Sequence, residues 1–286
     1  MVVANVAGLD RNRERMGGDI AIPPCPAILT KIMRETRSNE PDFRRVGHLV
    51  GGDVALAAAI VSIANSPYYG LRTKASSVQQ ALTLLGLEAV TQRLTGLLLR
   101  QAFPSALGSG MNGYWKASMA TALIAALVSR ETGCGNSEIC HTYALFQNCG
   151  MAVMRQTFPI YEDILDGSAL AFGDPILEIE EERYATNHAK IGAQLAQGWQ
   201  LSEPLCLAIR HHHDLPASAE ILGQVAPETR LLVAIGIAAE QIYCLATGAV
   251  CHEWAQADQW VLEELGMAAG KLTEVAGRIK VILAQL

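Results

Sequence analysis

The amino-acid sequence predicts an all-α fold. Apolar residues recur at helical spacing along the chain, and no stretch shows the sustained period-two alternation that is typical of strands. Aliphatic residues and alanine supply most of a hydrophobic content of 50%, whereas aromatic residues contribute 6%. Such side chains suit close packing between helices better than a β-sandwich. A chain of 286 residues can build a large helical core from them.

Composition along the chain predicts three parts. Residues 1–19 form a flexible lead-in that ends at a pair of glycines, residues 20–104 form an N-terminal helical lobe, and residues 113–286 form a C-terminal helical lobe. The stretch 104–113 between the lobes is rich in Gly, Ser, Asn and Pro, which is typical of a connection. No internal repeat is evident. No receiver or sensor domain fits beside the two lobes, so we expect regulation to come from a separate protein.

Two short helices are predicted at the start of the N-terminal lobe. The first follows a proline-rich segment, with Pro26 in its opening turn. Its apolar face is made of Ile28, Leu29, Ile32, Met33 and Thr36. The second begins near Pro41 and stops at Gly51-Gly52. The residues predicted to face inward there are Phe43, Val46, Leu49 and Val50.

The next helices carry clear start and stop signals. Asp53 can cap a helix over 54–64 that has almost no polar residue, so we expect that helix to be buried on all sides. Pro67 disfavours helical geometry at Ser66 and ends it. Ser77 with Gln80 predicts a capping box at the start of the following helix. Gly86 predicts a left-handed C-cap, after which a long helix covers 88–102.

The C-terminal lobe is predicted to contain longer helices. Helical spacing covers the ranges 114–132, 137–158, 180–199, 203–213 and 227–247, followed by a C-terminal pair of helices. The connection over 162–182 carries eight acidic residues, and we expect it to be a solvated loop leading into a charged helix start.

Charge and cysteine usage restrict the class of protein. A net charge of −6 argues against a general binder of nucleic acids or anionic membranes. Seven scattered cysteines without a C-x-x-C pair indicate a reducing compartment, and the first 18 residues lack a signal peptide, so we expect a cytoplasmic protein. The most membrane-like segment, 231–250, has Glu240 and Gln241 near its middle and is interpreted as a buried core helix.

One string carries a family resemblance. The eight residues from Ile63 to Gly70, followed by Ser76-Ser77-Val78 and by the run from Ala81 to Gly86, resemble the signature of the HDOD family. The resemblance covers about residues 20–250. It implies a bacterial signal-transduction output module, catalytically degenerate relative to the HD and HD-GYP metal phosphohydrolases, with an HD-like helical bundle. It therefore implies signalling proteins as partners.

The resemblance also implies that most metal ligands are missing. Ala117 stands where HD-type enzymes have their first histidine, and Gln147 and Asn148 replace the His-Asp pair. Met151 takes the place of a lysine found in active relatives, and the later aspartate would fall near residue 236 or 237, one helical turn before Glu240. Neutral amides are weak ligands and cannot supply the charge that a two-metal centre requires. No cofactor is expected.

Part of the downstream half of that site is retained. His188 resembles the histidine of the family's His-x-x-x-Gly segment, and His212 and His213 resemble its paired histidines. Consecutive helical residues point about 100° apart, so the run of histidines does not by itself build a tetrahedral site. We interpret the three as partly buried remnants in a vestigial pocket. If a divalent metal is bound at all, these three residues are its expected ligands.

The aromatic loop is the predicted place of function. Asn65, Tyr68 and Tyr69 are candidates for partner binding, although the tyrosines can instead pack one lobe against the other. The favoured function is a non-catalytic signalling scaffold that acts through protein partners. Two alternatives stay open, a metal-dependent phosphohydrolase and a receptor for a nucleotide or small ligand in the vestigial pocket. The sequence does not specify the oligomeric state.

Other candidate residues are weaker. His48, His141 and His252 are isolated in the sequence, and surface or helix-end positions are expected for them. Ser118 and Cys149 lie near the vestigial pocket, but neither has a base nearby in the sequence, as a nucleophile requires. A helix-turn-helix reading of residues 54–95 offers only Arg93 to read bases, so direct nucleic-acid binding is not favoured.

Overall fold

The computed structural model describes residues 20–103, 109–158, 161, 176–214, 223–251 and 253–283. This part of the chain consists of helices and their connections and contains no strand, which confirms the all-α prediction. The predicted lead-in and residues 104–108 of the predicted junction lie outside the described residues. The helices are α1 (Ala27–Thr36), α2 (Phe43–Gly51), α3 (Val54–Ala64), α4 (Val78–Leu85), α5 (Leu87–Gln101), α6 (Ser109–Thr132), α7 (Ser137–Phe146), α8 (Cys149–Thr157), α9 (Ile176–Tyr184), α10 (His188–Gly198), α11 (Glu203–Arg210), α12 (Pro227–Thr247), α13 (Trp254–Glu264) and α14 (Ala269–Leu283).

Helices α1 to α5, called here the N-terminal helices, pack against one another. α1 contacts α2 and α5, while α4 contacts α2, α3 and α5. The prediction for α1 is confirmed, because Leu29, Ile32 and Met33 are buried. The prediction for α2 is partly wrong. Its Val46 and Val50 are buried, but Phe43 is 41% exposed because it occupies the first position of the helix, beyond the contact with α1.

Helix α3 is not buried on all sides, so that prediction is wrong. Only Leu56, Ile60 and Ala64 are buried, and they stand four residues apart on one face. Val54 on the opposite side is 84% exposed. The helix lies at the edge of its group with α2 and α4 against one side, so its nearly uniform apolar composition does not reveal which face is covered.

The predicted caps are mostly confirmed. The Asp53 carboxylate accepts hydrogen bonds from the backbone N–H groups of residues 55 and 56, at 2.9 and 3.0 Å. Ser77 accepts from the Gln80 N–H at 3.2 Å. The Gln80 side chain bonds the neighbouring Ser76 rather than Ser77, so the capping box is shifted by one residue on that side. Gly86 has a φ of 86° but a ψ of 162°, which is an extended joint between α4 and α5 rather than a left-handed helical turn.

Helices α6 to α14, called here the C-terminal helices, surround α12. That helix contacts α6, α7, α11, α13 and α14, and its predicted bounds of 227–247 are confirmed. By length and composition α12 is apolar enough to cross a membrane, but 67% of its apolar window is buried inside the protein. It forms the centre of this half of the core. The division of the chain into two lobes stays a prediction.

Two predicted long helices are broken, and both breaks matter for function. The range predicted as one helix over 137–158 is split into α7 and α8 at Gln147 and Asn148. The range over 180–199 is split between α9 and α10, where Ala185 has a φ of 54° and Asn187 caps α10. Apolar spacing continues across both breaks, so periodicity alone does not show them. In addition, α6 starts at residue 109, five residues earlier than predicted, and α11 ends at residue 210.

Candidate functional site

The break between α7 and α8 brings two polar side chains into the core. Gln147 is buried at the end of α7, and Asn148 precedes the first residue of α8. Close approach of α8 to α10 fixes their position, because a Cβ on Gly150 would stand 1.9 Å from the backbone oxygen of His188. Only glycine permits this crossing. The replaced His-Asp pair therefore lies directly against the start of α10.

The amide half of the site is linked to Glu240. The Gln147 Nε2 atom donates to Glu240 Oε1, and the Asn148 Nδ2 atom lies 3.4 Å from the same oxygen. Gly236, where the resemblance places a carboxylate, has no room for one, since a Cβ there would lie 2.6 Å from Gln147 Oε1. The carboxylate one turn later thus reaches the site, and it contacts two amides in place of the His-Asp pair that the resemblance places here.

The histidine half brings together residues from two segments. His188 is the first residue of α10, and His212 and His213 follow the end of α11. The His188 Nε2 atom lies 2.9 Å from His213 Nε2 and 3.4 Å from His212 Nε2. One ligand atom from each of the three lies within 4.8 Å of the other two. His188 is 0% exposed, so this convergence occurs inside the core.

Each imidazole is oriented by an acceptor at its other nitrogen. His188 Nδ1 lies 2.8 Å from a Glu180 oxygen, His212 Nδ1 lies 2.7 Å from the backbone oxygen of residue 209, and His213 Nδ1 bonds Glu253. A backbone carbonyl can only accept, and a carboxylate can only accept when it is ionised, so with Glu180 and Glu253 ionised these hydrogen bonds assign the N–H to Nδ1 in each ring. The Nε2 lone pairs consequently face one another.

Burial governs the electrostatics of the cluster. It lowers the pKa of His212 well below its ordinary value and that of His213 to about 3. Burial also raises the pKa of Glu253 to about 7, and burial together with the nearby Glu253 raises the pKa of Glu240 well above its ordinary value. His212 and His213 are thus neutral imidazoles, and they lie beside carboxyl groups that have been removed from water.

The site does not fit a two-metal HD centre. Ala117, half-buried on α6, offers no ligand atom, and Met151, half-buried on α8, offers only a thioether. Gln147 is already bonded to Glu240. The His-Asp pair that joins both metals in such enzymes has no equivalent among the described residues. The three histidines by themselves have a composition and spacing that fit a single ion.

Three carboxylates of this site are not predicted from the sequence. Glu180 was assigned to a solvated acidic run, yet it is fully buried and also accepts from the Tyr161 hydroxyl. Its position eight residues before His188, with the chain turning between α9 and α10, is a signal that could have been used. Glu240 lies one helical turn beyond the position where the resemblance places a carboxylate, and Glu253 lies 40 residues beyond His213. Only the tertiary structure brings these two groups to the histidines.

The aromatic loop joins the two groups of helices. Asn65 folds the loop back, because its side chain exchanges two hydrogen bonds of 2.8 Å with the backbone of residue 75. The Tyr69 hydroxyl accepts from Arg93 Nε at 2.9 Å and lies 3.3 Å from Glu138. Arg93 belongs to α5 and Glu138 to α7, and their charged groups are 2.9 Å apart. The tyrosine, the cation and the anion therefore link the N-terminal helices to the C-terminal helices.

Tyr68 lies beside the same ion pair. Its ring centroid is 4.9 Å from the Arg93 guanidinium carbon and 4.2 Å from that of Arg130, and the Tyr69 ring packs edge-on against it at 4.9 Å. Both tyrosines are half-buried. These contacts fit a role in packing the two groups of helices together. Part of each ring also remains at the surface.

The structure supports no catalytic or base-reading role for the weaker candidates that it describes. His48 is exposed, His141 is half-buried and His252 lies outside the described residues. Burial raises the pKa of the Cys149 thiol strongly, which makes it a poor nucleophile. Arg93 is 8% exposed and paired with Glu138, so it is not available to read bases.

Comparisons with known proteins agree with this geometry. An HDOD domain model matches residues 22–215. A protein of unassigned function from Treponema pallidum (strain Nichols) is 25% identical over 229 residues, which are 77% of this chain and 44% of that protein. The chain thus spans less than half the length of that curated relative.

Solved structures show the same fold. An HDOD domain protein of unknown function from Geobacter sulfurreducens has a TM-score of 0.66 and 23% identity, with 98% of each chain covered. A Shewanella amazonensis SB2B protein, provisionally named a phosphohydrolase, has a TM-score of 0.68 and 19% identity over 96% of this chain and 94% of its own. A Marinobacter aquaeolei VT8 protein, provisionally named a signal transduction protein, has a TM-score of 0.69 and 21% identity over 100% of this chain and 66% of its own. With the family model matched over most of its length, the chain belongs to the HDOD family.

Proposed function

We propose that this protein is a non-catalytic signal-transduction module of the HDOD type that acts in the cytoplasm through protein partners. The observation that supports the loss of catalysis is the replacement of the His-Asp pair by Gln147 and Asn148, both held by Glu240. A phosphohydrolase of this type needs a metal-bound water beside a second ligand set. The amides that occupy this position are engaged within the core, and Gly236 leaves no space for the missing carboxylate.

A hydrolysis assay tests this part of the proposal. The purified chain, supplied in turn with zinc, manganese and magnesium, is expected to hydrolyse neither a nitrophenyl phosphoester nor a cyclic dinucleotide above the rate of the Asn148→Ala variant. Turnover that is abolished by a chelator and by Asn148→Ala would contradict the proposal. In that case the phosphohydrolase alternative, which the three converging histidines favour, would be the correct one.

The partner-binding part places the interaction on the N-terminal helices. Support comes from the family, from a relative provisionally named a signal transduction protein, and from the half-buried tyrosine loop with Arg72 exposed beside it. A photo-crosslinking residue at position 72 is expected to capture a defined protein in cells. The matched control carries the crosslinker at Met119, which is 50% exposed on α6. Equal capture from both positions, or none from position 72, would contradict the assignment.

A ligand-receptor role is the weaker alternative. A cavity of about 640 Å³ lies against α11 and the start of α12, lined by residues that include Leu207, His211 and Thr229. None of its lining residues belongs to the Gln147–Glu240 contact or to the three converging histidines. The receptor hypothesis placed its ligand in the vestigial pocket, so this cavity does not support it.

A further inference from the structure

Three imidazole nitrogens converge inside the C-terminal helices with their lone pairs facing one another. For donors about 2.0 Å from a tetrahedral ion, neighbouring donor atoms lie about 3.3 Å apart. The observed separations of 2.9 and 3.4 Å from His188 Nε2 to His213 Nε2 and His212 Nε2 are close to that value. Three acceptor nitrogens at such distances repel one another unless a positive charge lies between them.

A single proton cannot satisfy this arrangement. If His188 carried a proton on Nε2, that N–H could donate to one of the other two rings only. His212 Nε2 also lies 3.1 Å from Asn148 Oδ1, and both atoms are acceptors, because His212 donates through Nδ1 and the Asn148 amide nitrogen is directed at Glu240. A cation at the centre would satisfy all of these contacts at once.

The surrounding charges also call for a cation. Glu180 and Glu253 are buried behind the histidines at 0% and 3% exposure. In the described part of the chain, their charged-group partners are His188 and His213, with no lysine or arginine in contact. Buried carboxylates without a compensating charge are costly. Two carboxylates in the second layer would balance one divalent ion, and carboxylates commonly orient metal-binding histidines in this way.

We propose that His188, His212 and His213 bind one borderline divalent transition-metal ion, with zinc as the expected ion, through their Nε2 atoms. Three imidazoles without a carboxylate or thiolate ligand favour zinc and its neighbours over magnesium or calcium. The Asn148 oxygen lies 3.1 Å from His212 Nε2, and it or a water molecule would complete the coordination. The ion would join α9 and α10, the end of α11 and the start of α13. The proposal is independent of whether the protein acts through partners.

Metal content provides the direct test. The full chain is purified without a polyhistidine tag, exchanged into zinc and desalted, and we expect about one ion per chain. Replacement by cobalt is expected to give the visible absorption of a four-coordinate site, which a chelator removes. Zinc is expected to raise the melting temperature and the chelator to lower it. A folded wild-type chain that binds no zinc and gives no cobalt bands overturns the proposal.

Variants assign the ligands. His212→Ala and His213→Gln are each expected to lose the cobalt bands and the zinc-dependent rise in melting temperature. His211→Ala is the matched control, because this neighbour in the same run is bonded to Asp214 and is not one of the three converging histidines. Circular dichroism establishes that each variant is folded. Equal metal loss in His211→Ala and His212→Ala, or retention in both ligand variants, contradicts the assignment. If neither ligand variant folds, the wild-type cobalt spectrum decides the outcome.

Discussion

Two buried polar networks in this protein differ in how their charges are balanced. At the boundary between the helix groups, the Arg93 guanidinium and the Glu138 carboxylate are 2.9 Å apart, with Tyr69 bonded to the arginine and close to the carboxylate. In the histidine cluster, the carboxylates of Glu180 and Glu253 contact imidazoles. The first network contains its own cation, so its charges are balanced without an added ion, although the buried Arg93 Nη2 atom has no hydrogen-bond partner among the described residues. The second depends on protons or on an added ion.

This difference in charge balance distinguishes a structural contact from a binding site. A paired arginine and glutamate hold two surfaces together through opposite charges that both belong to the protein. Three imidazole rings held in fixed orientations, with their lone pairs directed at one point, are an arrangement that folding alone does not require. The string that reveals the family lies in the first network, while the chemistry that could bind a ligand lies in the second.

The largest expected effect is in the histidine cluster. With chelator present, His188→Ala is expected to lower the free energy of unfolding by about 3–5 kcal/mol, because it removes the imidazole partner of the buried Glu180 carboxylate and leaves only the Tyr161 hydroxyl and the backbone N–H of residue 188. Urea unfolding measures the change. His211→Ala, which disrupts only a partly exposed contact, is expected to lose less than about 1 kcal/mol. Similar losses in both variants would show that the cluster is not energetically special.

A smaller effect is expected at the boundary network. Glu138→Gln keeps the shape of the side chain but removes the charge that faces Arg93, and about 1.5–3 kcal/mol of stability should be lost. Glu88→Gln, an exposed glutamate in the first turn of α5, serves as the control and is expected to change stability by less than about 1 kcal/mol. A neutral result for Glu138→Gln would contradict the idea that this ion pair secures the boundary.

Gly236 is closely packed, and its substitution is expected to cost a comparable or slightly smaller amount of stability. Gly236→Ala places a methyl group 2.6 Å from Gln147 Oε1 and 2.9 Å from the Tyr143 ring, so overpacking should cost about 1–3 kcal/mol. Gly113→Ala in α6, where a Cβ meets nothing within 4 Å, should instead stabilise the helix by about 0.5–1 kcal/mol. If both substitutions stabilise the protein, the amide half of the site is looser than the structure indicates.

The smallest expected effect is on the pH dependence of stability, through Tyr69 at the boundary between the two groups of helices. Burial raises the pKa of Tyr69 to about 12, so the folded protein holds this proton more tightly than the unfolded chain does. The stabilisation is present below pH 10 and is lost as the pH rises from 10 through 12. Tyr69→Phe should lose about 1 kcal/mol at neutral pH and show a shallower decline in this alkaline range. Parallel alkaline curves for both proteins would contradict the burial of this hydroxyl.

Local signals in the sequence were sufficient for most of the fold. Asp53 and Ser77 mark helix starts because their side chains satisfy free N–H groups of the first turn, whatever surrounds them. The bounds of α3 followed from such signals, and those of α12 followed from helical spacing. The family followed from the loop string, and the loss of the His-Asp pair could be read directly at Gln147 and Asn148.

The sequence by itself therefore determined an all-helical HDOD protein. It did not determine which face of α3 is covered, since an apolar helix without polar residues carries no directional signal. Nor did it show that Glu180, Glu240 and Glu253 surround the histidines, because a carboxylate looks the same in a sequence whether it is solvated or buried. Only tertiary packing decided that. The close crossing at Gly150 and the return of the chain after α12 bring residues far apart in sequence, such as Glu253 and His213, within hydrogen-bonding distance.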